Sequence, residues 1–438
     1  MFYLNRETEL TTALLEKMIN KFRVDVEPKL NNYKNYYDGK QAILNKSYTD
    51  PSKPCSKTVT NFCMNIANSY AGYLATPQHI SYSSKDDITE IMEVLRYNDY
   101  QSQDSKLLLD ALIYGVACEL MYIDTNSQVR FRLINPTTCF GVYDDSLTGD
   151  LIYFVRMYKE SYWDNSDTYL VDVYSDTDIK HYKMSGKSGN LTFVGTEPHY
   201  FSQCPANIFY LQDEKSIFDC VLGAQDAYNE LLNSEVDDYS AFCDAYLVIT
   251  GADLIEEDVA QMKANRVMVL PDGAAANYLT KNANDTQVEN TLRRIHENIY
   301  RVAQCPDFSS ESFVGGVSSG IAIQYRLTGM ETRAGDIEAE MKKALQRRIE
   351  IICGIASMKL GEELFRDIEI TFKRNIPEDT TATINKINSL KGTVSDATLL
   401  GELDFITDVN KELEAIKKQK QENMALYSFG TEHLDEEE

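Results

Sequence analysis

The chain behind residue 306 limits the fold most. Residues 307–319 read Asp-Phe-Ser-Ser-Glu-Ser-Phe-Val-Gly-Gly-Val-Ser-Ser, a Ser/Gly loop whose only aromatic side chains are Phe308 and Phe313. Directly after it, Ile323, Leu327, Met330, Ala334, Ile337, Met341 and Ala344 alternate steps of four and three residues. That spacing sets all of them on one stripe of a long α-helix, residues 320–360, with Arg326, Glu331, Arg333, Asp336, Glu338, Glu340, Lys342 and Lys343 on its other faces. A seam this narrow suits side-by-side packing in an assembly. The loop itself has the composition of a flexible connection.

Two capping-box signatures precede the loop. Ser216-Ile217-Phe218-Asp219 predicts a helix running to about residue 245, and Thr286-Gln287-Val288-Glu289 predicts another that ends at Pro306. Between them lie a strand at Tyr246–Thr250, a short helix near 256–264 and a strand at Val267–Leu270, closed by Pro271-Asp272-Gly273. Helix in, small module, helix out reads as a stalk with a tip.

The rest alternates in element type. Helices are predicted from Arg6 to Tyr37 with a break at Pro28, from 58 to 74, and from 102 to 115. Residues 117–209 are rich in Tyr, Val, Ile and Phe with turn signals between runs such as Val129–Leu133 and Tyr169–Tyr174, and read as half-exposed antiparallel strands. Residues 365–373 alternate as one more strand, and 380–425 read as short helices, one capped by Ser395. The fold class is α+β, mainly helical. With 438 residues the chain has room for several substructures of roughly 100–200 residues or less.

Composition excludes several functions. Sixty-eight acidic side chains face 43 basic ones, a net charge of −25. Tight duplex binding relies on Lys and Arg displacing counterions from phosphates, so such a chain can surround DNA but is poorly suited to grip it. The 9 cysteines are scattered singly, without a zinc-type C-x-x-C pair, and read as reduced, buried thiols. No window offers the roughly 18 uninterrupted apolar residues of a membrane span; the richest, Leu112–Ile123, is interrupted by Glu119. The first residues lack the order of a signal peptide, so the chain is expected to remain in the cytosol where it is made.

Catalytic motifs are present only in fragments. Gly316-Val317-Ser318-Ser319-Gly320 matches G-x-S-x-G, but a Ser/Gly loop stands where a buried strand is needed, and the only later histidine is His433 in the acidic ending. Gly186-Lys187-Ser188 resembles the end of a P-loop, yet the position of the required earlier glycine is His181 and the segment reads as a hairpin turn. The acidic pair Asp144-Asp145 and the run Glu256-Glu257-Asp258 read as caps and solvated surface rather than metal ligands. Neither an enzyme activity nor a cofactor is expected. The competing readings are a cytosolic serine hydrolase using Ser318, and another capsid or adaptor structural protein.

Several blocks, in their order and spacing, resemble the portal, or connector, proteins of tailed double-stranded DNA phages, in the siphophage branch of Gram-positive hosts. They are Tyr36-Tyr37-Asp38-Gly39; Ser69-Tyr70-Ala71-Gly72-Tyr73-Leu74; Asn135-Pro136 with Val142-Tyr143-Asp144-Asp145; and Pro205-Ala206-Asn207-Ile208-Phe209-Tyr210. The most specific is Ala224-Gln225-Asp226-Ala227-Tyr228-Asn229-Glu230-Leu231 with Ser234 behind it, followed by Ser318-Ser319-Gly320-Ile321-Ala322.

The resemblance implies a wing formed by residues 1–215 and completed by a strand at 365–376. It also implies stem helices at 216–245 and 286–306, a clip at 246–285, a tunnel loop at 307–319, a long helix at 320–360 and a crown at 379–438 that is short for the family. By the same resemblance, about twelve subunits form a homo-oligomeric ring at one capsid vertex of the virion, after assembly in the host cytoplasm, with no membrane involved. Double-stranded DNA passes through it during packaging and ejection. The terminase large subunit, head-completion or adaptor proteins, and the major capsid or scaffolding protein are the implied partners. DNA would meet the tunnel loop at Phe308, Ser309, Ser310, Glu311, Phe313, Gly315 and Gly316.

Overall fold

The computed structural model describes residues 1–51, 53–75, 79–161, 163, 167–187, 189–242, 247–251, 255, 270, 272–278, 285–309, 320–355, 364–375, 380–401, 403, 409 and 412–421. They fall into two compact units. One comprises Met1–Gly315 and Tyr325–Asn375, the other Gly316–Gln324 and Ile376–Glu438.

The larger unit opens with strand β1 (Phe2–Leu4) and helices α1 (Thr12–Lys21) and α2 (Glu27–Tyr37), separated by a π-helical turn over Phe22–Val26. Pro28 does not break the predicted helix. It stands in the first turn of α2, where no intrahelical N–H is needed, and the π turn before it absorbs the change of spacing. Next come α3 (Phe62–Leu74), β2 (Ile80–Ser83), α4 (Thr89–Tyr97) and α5 (Tyr100–Tyr114). Neither β1, β2 nor α4 is among the elements expected from periodicity.

Strands β3 (Val116–Ile123) to β10 follow: β4 (Val129–Ile134), β5 (Cys139–Asp144), β6 (Leu151–Lys159), β7 (Thr168–Tyr174), β8 (Asp178–Ser185), β9 (Leu191–Pro198) and β10 (Ala206–Tyr210). They form a six-stranded sheet in the order β1-β5-β6-β7-β8-β9, in which β1 joins β5 in parallel and the others are antiparallel, and a three-stranded sheet β10-β3-β4. β4 alternates buried and more exposed residues as predicted, but β7 does not. Asp172 is buried there because its carboxylate meets His181 Nδ1 at 2.7 Å across the β7–β8 pair. The turn at Gly186, which has φ +70°, joins β8 to β9 as the expected hairpin.

Helix α6 spans Leu222–Phe242, β11 (Leu247–Thr250) pairs antiparallel with β12 (Ala275–Tyr278), and α7 spans Asp285–Ala303. Ser216 does not cap α6. Its hydroxyl donates to Leu112 O at 3.1 Å, and a 3₁₀ turn over Asp219–Val221 leads into the helix. Likewise α7 begins one residue ahead of Thr286, which therefore lies inside it. The expected helix near 256–264 and most of the expected strand at 267–270 lie outside the described residues.

Helix α8 covers Gly320–Cys353 and ends short of residue 360. The stripe it was predicted to offer to a neighbouring subunit is instead covered by its own chain: Leu327, Met330, Ala334, Ile337, Met341 and Ala344 are all buried. Each fully buried Leu, Ile or Met there contributes roughly 1.5–3 kcal/mol over leaving it exposed, a strong reason for the helix to turn this face inward. Strand β13 (Glu369–Phe372) then pairs antiparallel with β2, 286 to 292 positions earlier in the chain. In the second unit α9 (Thr380–Leu390) and α10 (Asp396–Gly401) are helical, and Ser395 caps α10 as expected, its Oγ accepting from Thr398 N at 3.3 Å.

Candidate functional site

The site is the root of the loop that joins α7 to α8. Of its predicted residues, Phe308 and Ser309 are described, Phe308 being exposed; Ser310, Glu311, Phe313, Gly315 and Gly316 lie outside the described residues, as do Ser318 and His433. Helix α7 stops at Ala303, Gln304 turns into the left-handed region at φ +54°, and Cys305 N returns to Tyr300 O at 3.1 Å. The carbonyls freed by this turn are met by two side chains. Tyr70 of α3 holds its hydroxyl 3.0 Å from Ala303 O and 3.1 Å from Gln304 O, and Arg333 of α8 donates to Ala303 O at 3.1 Å and to Ile217 O at 2.9 Å.

Asp307 starts the loop with an Asx turn, its Oδ1 accepting from Ser309 N at 3.0 Å and Ser309 Oγ at 2.6 Å. Its other oxygen lies 3.6 Å from His296 Nε2. The His296 ring packs against Phe62 and Tyr300, with centroids 5.3 and 5.1 Å away. An open cleft of about 890 Å³ beside this cluster is lined by Arg293, Arg301 and Arg326 together with Glu297 and Asp307. It is a surface of mixed charge. Burial pushes the Cys305 thiol up to about 11, so it stays protonated at neutral pH and is no nucleophile. Among the described residues no His, Cys, Asp and Glu cluster could hold a metal ion.

The most family-like block, residues 224–231, supplies the first two rungs of an amide ladder that periodicity does not reveal. Gln225, Asn229, Asn233 and Asp237 recur every four residues along α6 and are all buried. Gln225 Oε1 accepts from Phe62 N at 2.9 Å, Asn229 Oδ1 from Thr60 N at 3.0 Å, Asn233 Oδ1 from Thr58 N at 2.7 Å and Asp237 Oδ1 from Ser56 N at 2.6 Å. The amides also donate: Gln225 Nε2 to Thr60 O at 2.5 Å, Asn233 Nδ2 to Thr58 O at 2.8 Å, and Asn229 Nδ2 to Gln41 Oε1 at 2.6 Å. Tyr36, from another family-like block, donates to Asp226 at 2.7 Å.

A second buried polar group ties α8 to the body. Arg348 donates through Nε to Glu119 of β3 at 2.7 and 2.9 Å and through Nη1 to Asp104 of α5, which also accepts from Tyr82 OH of β2 at 2.9 Å. The guanidinium stacks over Phe131, 4.4 Å from its centroid. Burial alone would drive off the charge of Arg348, but Asp104 and Glu119 hold its proton more firmly than usual; burial keeps the Glu119 carboxyl above its ordinary range despite that cation. The signal was the lone carboxylate in the apolar run Leu112–Ile123.

The chain is 20% identical to the portal protein of Bacillus phage SPP1, over 94% of its own length and 87% of that protein's. It is 19% identical to the portal protein of Clostridium phage phiCD119, over 88% and 91% of the two chains. Such a family does not favour a hydrolase centred on Ser318. The model of phage portal proteins of the SPP1 Gp6-like type matches residues 23–425, a span that holds the ladder, the loop root and the Arg348 cluster, and the chain belongs to that family.

Proposed function

We propose that this chain is one subunit of a closed ring, of about twelve copies, at one vertex of a phage capsid, through which double-stranded DNA enters during packaging and leaves on ejection. The family match over residues 23–425 carries the reading. Residues 1–215 act as the wing; the pairing of β13 with β2 supports its completion by 365–376. Helices α6 and α7 act as the stem, and the antiparallel β11–β12 pair between them supports a clip at 246–285. Residues 307–319 are the tunnel loop, backed by α8, and 379–438 the crown. The clip would receive the terminase large subunit and later the head-completion proteins, with the capsid or scaffolding protein around the ring. A net charge of −25 lets DNA slide without sticking, so force comes from the partner.

Electron microscopy of the purified protein tests the ring, and the deletion of residues 309–317 tests the loop. Rings with and without the loop, but poor DNA packaging with the deletion, are the expected pair of results. Monomers at high concentration would overturn the ring, and loss of rings on deletion would make the loop a structural segment.

A further inference from the structure

We propose that residues 56–62 are a strap whose backbone, held by the amide ladder of α6, positions α3 and through it the root of loop 307–319. The match of the two periods makes this possible. Four residues of helix advance about 6.0 Å and two residues of extended chain about 6.6 Å, so side chains at every fourth position of α6 meet every second N–H of the strap. The rungs run antiparallel, from Gln225 with Phe62 to Asp237 with Ser56. A slip of one residue would turn every bonded N–H away from the ladder, leaving buried amides unpaired. The register is therefore fixed by backbone groups and is indifferent to the side chains of Lys57 and Val59.

The last rung is Phe62, and it opens α3. From there α3 reaches the loop root at three places. The Phe62 ring meets Tyr228, His296 and Tyr300 edge-on, with centroids 5.0, 5.3 and 5.9 Å away. Asn65 Nδ2 donates to Tyr300 OH at 2.7 Å, and Tyr70 closes on the Ala303 and Gln304 carbonyls. Phe62, Asn65 and Tyr70 are positioning residues, and the ladder sets where they stand. This rests on the reading of 307–319 as the DNA-facing loop, but the exchange test below needs no DNA and so fails or succeeds separately from that reading.

Amide hydrogen exchange on the full chain tests it. Asn233→Ala is expected to speed exchange roughly tenfold at Thr58, whose N–H loses its acceptor and whose carbonyl loses its donor, to speed it less at the adjoining Thr60 rung, and to speed it also at Gln304, Cys305 and Ser309, with β5–β8 unchanged. Val59→Ala, which keeps the strap backbone, should change neither region. Phe62→Leu should speed exchange at the root while the Thr58 and Thr60 rungs stay protected. If Asn233→Ala loosens the strap and the root keeps its protection, the coupling is wrong. Should Asn233→Ala also strip protection from β5–β8, the Phe62→Leu result decides, and an unaltered root there overturns the proposal.

Discussion

Helices α6 and α8 both seal polar side chains from water, and they do so by different chemistry. Helix α8 concentrates a full charge at one point, where Arg348 meets Asp104 and Glu119; α6 spreads three neutral amides and one carboxylate over a run of four-residue steps. A buried cation and its carboxylates depend on one another completely, because removing one leaves the others charged in a low-dielectric interior. Neutral rungs are graded: each contributes about 0.5–1.5 kcal/mol net, and losing one loosens its neighbours without stranding a charge. The cluster should behave as a pin, and the ladder as a seam that opens in steps.

The largest effect expected from this contrast is at the pin. Arg348→Met strands Asp104 and Glu119 and should lower unfolding free energy by about 3–5 kcal/mol, measured by urea titration. Arg348→Lys should recover little, since an ammonium cannot match the planar fork that reaches both carboxylates. On the ladder, Asn229→Ala orphans Thr60 N and Gln41 Oε1 and should cost about 1–3 kcal/mol. A ladder variant that proved more damaging than Arg348→Met would reverse the assignment of pin and seam.

These two arrays also mark where sequence reading succeeds and where it stops. The helices on either side of the loop and the strand-rich middle are legible because each is governed by local period and turn chemistry. Partners far along the chain are not: Arg348 and Glu119 stand 229 positions apart, and neither shows in the spacing of its own element. Glu119 shows in the sequence only as an interruption of an apolar run. On α6 the apolar residues Tyr228 and Leu231 are only partly buried, while the amides beside them are sealed. The physical reason is the partner: α6 packs there against an extended backbone, which requires hydrogen-bonding side chains instead of apolar ones. A strict i, i+4 run of Gln, Asn, Asn and Asp was the available clue, and a solvated face produces the same pattern. The seam of α8 is visible in the sequence as apolar but its partner is not, because spacing shows that a face is covered without showing by what.

The smallest effect separates the carboxylate rung from the amide rungs by pH. Asp237 accepts from Ser56 N, from Lys46 Nζ at 2.8 Å and from Tyr48 OH at 3.3 Å. Burial opposes its charge, but the Lys46 bond and those from Ser56 outweigh it and hold the carboxyl below its ordinary value. A group whose acidity is greater in the folded state adds stability above its unfolded pKa, about 3.9 for Asp, and that contribution is lost as pH falls through the lower folded value. Lys46 is shifted upward, against burial, by the same pair with Tyr48 assisting, so its contribution lasts until pH rises beyond the usual lysine value of about 10.4. Asp237→Asn should therefore be less stable than the natural chain at pH 7, with the difference shrinking as pH falls from 5 toward 3. The Asn229→Ala difference should stay level over that range, since no rung there titrates. Urea midpoints at pH 7, 5, 4 and 3 provide the comparison; if the Asp237→Asn difference stays level as the Asn229→Ala difference does, the carboxylate rung is no different from the amides and the ladder acts as one uncharged seam.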